Sequence, residues 1–202
     1  RASAHAGGWL MLRTLSLRVS ILATVWVVTA HGTVTLAAHQ LVFTLFSTLA
    51  FALDALAIAA QSLIGKELGA GDLARTRALN GTMMRWGVYF GLITGALLAA
   101  LAWVLPPLFT PDAAVQHAAT LGLLVLAASQ PICGLVFVLD GVLIGAGDAR
   151  YLALAGLVNL AFYAPLLVIA ALLPLPGEAL VWVWVAFSGY LLARAATLSW
   201  RV

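Results

Sequence analysis

Apolar residues run along this chain in long blocks, separated by short clusters of Gly, Pro and Asp rather than by polar stretches. A helix needs about 20 apolar residues, at about 1.5 Å each, to cross a hydrocarbon layer. Six blocks meet that length: residues 9–30, 34–64, 82–105, 116–145, 150–173 and 178–199. The breaks between them are His31-Gly32-Thr33, Gly69-Ala70-Gly71-Asp72, Pro106-Pro107 with Pro111-Asp112, Gly145-Ala146-Gly147-Asp148, and Pro174 with Pro176 and Gly177. All are turn formers. The spans must be helical, because an unpaired backbone group in lipid costs several kcal/mol.

Basic residues divide along the same frame. With six alternating spans, all ten Lys and Arg fall at or near one side: Arg1, Arg13, Arg18, Lys66, Arg75, Arg77, Arg85, Arg150, Arg194 and Arg201. The other side carries only Asp112 and Glu178. Positive charge marks the cytoplasmic face, so both termini are expected there. Arg13 and Arg18 sit somewhat deep, and Arg18 is expected to snorkel or face a polar interior. Composition agrees with lipid as the main solvent: 64% of residues are hydrophobic and 8% charged, and the mean hydropathy is +1.09. One cysteine, Cys133, excludes a disulfide framework within the chain. The net charge of +3 is spread over short loops and does not suggest a nucleic-acid partner. The chain starts with Arg and lacks an initiator Met, so it is expected to be a piece of a longer polypeptide.

Two carboxylates interrupt the apolar blocks. Asp54 and Asp140 each follow a Leu, and each leads through Ile-Gly to Gly-Ala-Gly-Asp and then Ala-Arg. An acid inside hydrocarbon is costly and commonly marks an ion or substrate path. Such a carboxyl can exchange a proton unless a cation pairs with it, and Arg13 is the candidate partner for Asp140. The bland alternative is an acid that ties two helices together. Gln61 lies seven residues after Asp54, on the same helical face. Gln40, Thr44, Ser47 and Thr48 either line a cavity or bond between helices. Asp72 and Asp148 open new helices and suit N-caps. Ser129-Gln130-Pro131 and Asn159 with Pro165 predict a break or kink in the fourth and fifth spans, and transporters often place sites beside such breaks. Gly87, Gly91 and Gly95, four residues apart, predict close approach of another helix. His5, His31, His39 and His117 show no metal spacing, and no hydrolase or phosphate-loop motif is present. No metal, no cofactor and no enzymatic activity are expected.

Four stretches carry a likeness to a known family: LRTLSLRVSI at 12–21, AAHQLV at 37–42, FALDALAIAAQSLIGKELGAGD at 51–72 and FVLDGVLIGAGDARY at 137–151. In that order and spacing the chain resembles the C-terminal half of a MATE (multidrug and toxic compound extrusion) transporter, most similar to the DinF-like branch. The resemblance implies an all-α membrane protein whose six transmembrane helices form one lobe of a twelve-helix transporter of the MOP superfamily. It implies a proton- or sodium-coupled antiporter exporting organic, often cationic, compounds across the inner (cytoplasmic) membrane. Asp140 falls at the fourth-helix acid that NorM-like members use in a cation site of this lobe. Their partner acid lies on the first helix, and residues 9–30 contain none. The expected cleft residues are Asp140, Asp54, Gln61, Gln40, Arg13 and Asn159. The expected partners are the missing N-terminal lobe of the same polypeptide or a second copy, a small organic cation and the lipid bilayer. A lipid-linked substrate flippase of the same superfamily would need a strongly cationic cavity, for which only Arg13 and Arg18 are available. A non-transporting membrane scaffold is the third reading.

Overall fold

The computed structural model describes residues 2–172 and 178–202, with side chains from residue 7 onward. Arg1 and the Pro174, Pro176 and Gly177 connection lie outside the described residues. The described chain is helical: α1 (Ala2–Ala30), α2 (Thr33–Gly69), α3 (Leu73–Leu101), the short α4 (Leu105–Phe109), α5 (Ala113–Gly145), α6 (Ala149–Leu172) and α7 (Ala179–Arg201). All except α4 are long and apolar enough to cross a membrane. Pro106 and Pro107 stand inside α4 rather than in an open connection. The helices run past several edges of the apolar blocks, most clearly at 65–69 and 73–81, because polar residues continue a helix once its apolar part is anchored.

Helix α5 is the post of the bundle, packed by α2, α3 and α7, while α6 joins α1 and α7 at the side. Leu123, Leu126, Cys133, Val138 and Leu139 of α5 are fully buried. The glycine stripe of α3 meets this post. A Cβ on Gly87 would strike the Gly134 carbonyl, one on Gly91 the Gln130 carbonyl and Pro131, and one on Gly95 the Ala127 carbonyl. The two backbones touch with no side chain between them, which is the packing that small residues allow in a membrane.

At Ser129-Pro131 and at Asn159 with Pro165 the helices are not broken. Both prolines stand inside continuous helices. Pro131 has no N–H for the Ala127 carbonyl, and that oxygen instead lies against Gly95 of α3. The Ser129 hydroxyl donates to the Val125 carbonyl at 2.9 Å and to that of Leu126 at 3.0 Å. A freed backbone group in lipid is tolerated when neighbours cover it in this way.

The two Gly-Ala-Gly-Asp stretches fold identically. Gly71 and Gly147 both have φ of 76°, a left-handed conformation in which a side chain is strained. Asp72 N–H donates to the Glu67 carbonyl and Gly71 N–H to that of Leu68; Asp148 and Gly147 do the same to Leu143 and Ile144. This pattern closes a helix and frees the Asp to begin the next one. Asp72 Oδ1 accepts from the Arg75 N–H at 2.9 Å, as an N-cap does. Asp148 caps more weakly, with 3.4 Å to the Tyr151 N–H, and its other oxygen accepts from Arg201 Nε at 2.7 Å.

The α3–α5 seam yields a stability test. Replacing Gly91 by Val forces side-chain atoms into the α5 backbone, and overpacking of this kind costs about 1–3 kcal/mol or more. The expected result is a clearly lower melting temperature for the Gly91→Val full-length protein in detergent. Gly8→Ala, where a Cβ meets nothing within 4 Å, is expected to leave the melt unchanged or slightly raised.

Candidate functional site

Helices α1, α2, α5 and α7 border a cleft of about 450 Å³ whose polar lining includes Arg13, Asp54, Gln61, Asp140, Tyr190 and Arg194. Its position follows from the register of α2 on α5. These two helices are parallel in topology, and Gly141 backs onto the Ala57 carbonyl while Gly145 backs onto that of Gln61. Asp54 and Asp140 each stand within a turn of the Ala57–Gly141 contact, so the two acids lie at about the same depth. Helix α2 then continues from Ala57 to Gly69, about 18 Å past that level at 1.5 Å per residue.

The two acids have opposite surroundings. Asp140 is 8% exposed, and its Oδ2 accepts from Arg13 Nη2 at 2.9 Å and from Arg194 Nη2. Arg194 is itself 6% exposed and reaches toward the Tyr190 hydroxyl at 3.5 Å. One carboxylate oxygen therefore joins α1, α5 and α7. Two guanidinium groups on one acid do not fit a metal cation bound there in this arrangement. Asp54 is exposed at the cleft surface and makes no ion pair or hydrogen bond among the described residues. Gln61 shares that exposed α2 face and lines the same cleft.

Four of the six expected cleft residues, Asp140, Asp54, Gln61 and Arg13, are thus brought together. The other two are not. Gln40 is exposed six turns before Gln61 and does not border the cleft. Thr44 and Thr48 on the same helix donate to their own backbone carbonyls and do not border this cleft. Asn159 is 1% exposed, and its Nδ2 donates to Thr197 Oγ1 at 3.0 Å, so it pins α6 to α7 instead of facing the cleft. The sequence reading placed Arg194 among the basic residues of one face and overlooked its role. Its signal was available: Phe187, Tyr190, Leu191 and Arg194 recur at helical spacing and form one stripe. His39, one of the histidines without metal spacing, is a core residue, 2% exposed and packed on Phe43 and Trp184.

Residues 10–169 match the MatE family over most of the chain. The chain belongs to the MatE family. Among curated relatives of this MatE chain, "Protein DETOXIFICATION 44, chloroplastic" of Arabidopsis thaliana is 31% identical over 201 residues, covering 98% of the chain and 37% of the relative. "Protein DETOXIFICATION 42" of the same plant is 26% identical over 196 residues, with 97% and 37% covered. The chain therefore spans little more than a third of the relatives it matches. Solved structures show the same fold. A MOP superfamily transporter from Pyrococcus furiosus superposes with a TM-score of 0.89 at 21% identity, over 98% of this chain and 44% of that one. The Vibrio cholerae MATE transporter VcmN in its bent form gives 0.80 at 23% identity, over 96% and 46%. Coverage below one half is what a single lobe of a two-lobe transporter gives.

The Asp140 cluster sets a second test. Removing one partner from a buried charge group costs about 3–5 kcal/mol, because the remaining charges lose compensation. Asp140→Leu, which leaves Arg13 and Arg194 with no acid between them, is expected to lower the thermal midpoint of the full-length protein strongly. Combining it with Arg194→Met is expected to recover much of the loss, since the buried Arg194 charge is then gone and only the more exposed Arg13 is left unpaired. A double variant less stable than Asp140→Leu alone would show that the cluster is not the source of the cost.

Proposed function

We propose that this MatE lobe works with a second lobe as a cation-coupled antiporter, driven by protons or sodium, that exports organic and often cationic compounds. The cleft carries this reading, and Asp54 is its most telling part. A carboxylate without a partner, at membrane depth, on a surface that borders an open cleft, is available both to a cationic substrate and to a coupling ion. Intramembrane acids in such positions are functional by default. Asp140 takes a different part from the one its motif implied: its arginines hold it as the anchor of the cleft wall.

A single lobe presents one wall of a site that repeat-built transporters place between their halves. The partner in this reading is the remaining lobe of the same polypeptide. Its basic end, where the α2–α3 and α5–α6 turns lie, faces the cytoplasm by the rule of positive charge, with both ends of the chain on that side. Against the flippase reading stands the balance of charge in the cleft, where Arg13 and Arg194 are matched by Asp54 and Asp140. A phosphate-bearing substrate would meet no excess of cations there.

The test is transport by the full-length protein in proteoliposomes under imposed proton or sodium gradients, using a fluorescent organic cation. Asp54→Asn is expected to reduce gradient-driven export about tenfold or more, with an unchanged melting temperature because Asp54 has no structural partner to lose. Export by Asp54→Asn at the wild-type rate under both gradients would remove Asp54 from the mechanism.

A further inference from the structure

On the side of α5 away from the cleft, helices α3 and α7 leave an open groove of about 670 Å³. It shares no lining residue with the cleft. Its α3 wall runs from Asn80 and Gly81 through Met84 and Arg85 to Val88 and Tyr89, faced by Leu135 of α5 and by Ser199 of α7 with Val202 after it. Arg85 is the one charged residue in the lining. Its Nε donates to the Gly81 carbonyl at 3.2 Å, and among the described residues its terminal nitrogens have no acid to pair with. Asn80 adds a buried side-chain oxygen with no hydrogen-bond partner. Polar capacity therefore collects at one end of the groove and is left unused.

The level of that end is marked independently. Trp86 beside Arg85 is 63% exposed and Trp200 beside Ser199 is 91% exposed. Exposed indoles at a helix flank sit at headgroup depth. Below them α3 continues outward with Tyr89, Leu92 and Ile93, each at least half exposed, so the groove opens sideways into hydrocarbon. Basic pockets between membrane helices on this side suit lipid headgroups.

We propose that this groove is a binding site for an anionic glycerophospholipid of the leaflet at the basic end. Its phosphate accepts hydrogen bonds from the terminal nitrogens of Arg85. Headgroup hydroxyls meet Asn80 and Ser199, and one acyl chain lies along Met84 and Val88. An unpaired cation with no acid nearby selects a net negative headgroup over a zwitterionic one, and the apolar wall selects a lipid over a soluble phosphate.

The experiment is native mass spectrometry of the full-length protein given equal amounts of phosphatidylglycerol and phosphatidylcholine with the same acyl chains. The wild type is expected to retain phosphatidylglycerol preferentially. Arg85→Gln is expected to lose about fivefold in that preference, and Arg85→Lys to keep part of it. Arg75→Gln, which alters a basic residue outside the groove, is expected to change nothing. Val88→Trp fills the apolar wall while leaving Arg85 in place, and is expected to lower lipid retention even if Arg85→Gln proves unstable. Equal retention of the two lipids by wild type, or no effect of both Arg85→Gln and Val88→Trp, overturns the proposal. Complete competition by soluble glycerol phosphate would also overturn it, by assigning the groove to a free anion. A groove filled by another part of the polypeptide would show itself as no retained lipid at all.

Discussion

One carboxylate oxygen, Asp140 Oδ2, receives guanidinium groups from two helices and in doing so fixes the wall of the cleft. In water this contact would be worth little; in a bilayer the alternative for each charge is exposure to hydrocarbon. That asymmetry makes the arrangement hard to leave. Arg13 draws α1 to α5, Arg194 draws α7 to it, and the remaining packing follows from these positions. Nearby polar pairs act in the same sense: Thr24 meets the Tyr163 hydroxyl at 2.6 Å across α1 and α6, and Asn159 meets Thr197 across α6 and α7. None of these contacts lies in the α2–α5 or α3–α5 seams.

The other half of the bundle is held by the opposite means. Between α3 and α5, and between α2 and α5, there are glycines against backbone, at Gly91 and Gly134 and again at Gly141 and Gly145. Contacts of this type depend on distance alone and are indifferent to charge. The lobe thus has one seam set by shape and one set by electrostatics, with the cleft opening beside the second. The unpaired Asp54 is carried on α2, which is held to α5 by the shape seam, so its position does not depend on the arginine network.

Much of the fold was legible because hydrocarbon imposes a strict length and permits only helices. The spans, the glycine stripe and the two helix-closing turns could be read directly from apolar blocks and from Gly-Ala-Gly-Asp. The behaviour of prolines was not legible. Whether Pro131 breaks a helix depends on what lies opposite the freed Ala127 carbonyl, and Gly95 is 32 positions away in the chain. Site residues divided in the same way. Arg13, Asp54, Gln61 and Asp140 stood out because each is polar within an apolar block. Gln40 and Asn159 stood out for that reason too, yet face elsewhere, since polarity alone does not give direction around a helix. Arg194 was missed because its nearness to the end of the last block made it look like a surface cation.

The length of α2 has a mechanical consequence. At 37 residues it is about 55 Å long, against about 30 Å of hydrocarbon, and no proline or glycine break softens it before its last turns. It is therefore a long lever arm. Pivoted at its Thr33 end, a rotation of about 10° sweeps its far tip through roughly 9 Å by simple trigonometry on that length, while a residue near the pivot barely moves. Asp54 lies between the two extremes, so any force applied to the protruding tip beyond Gln61 reaches the cleft as a reduced, directed displacement of a single carboxylate.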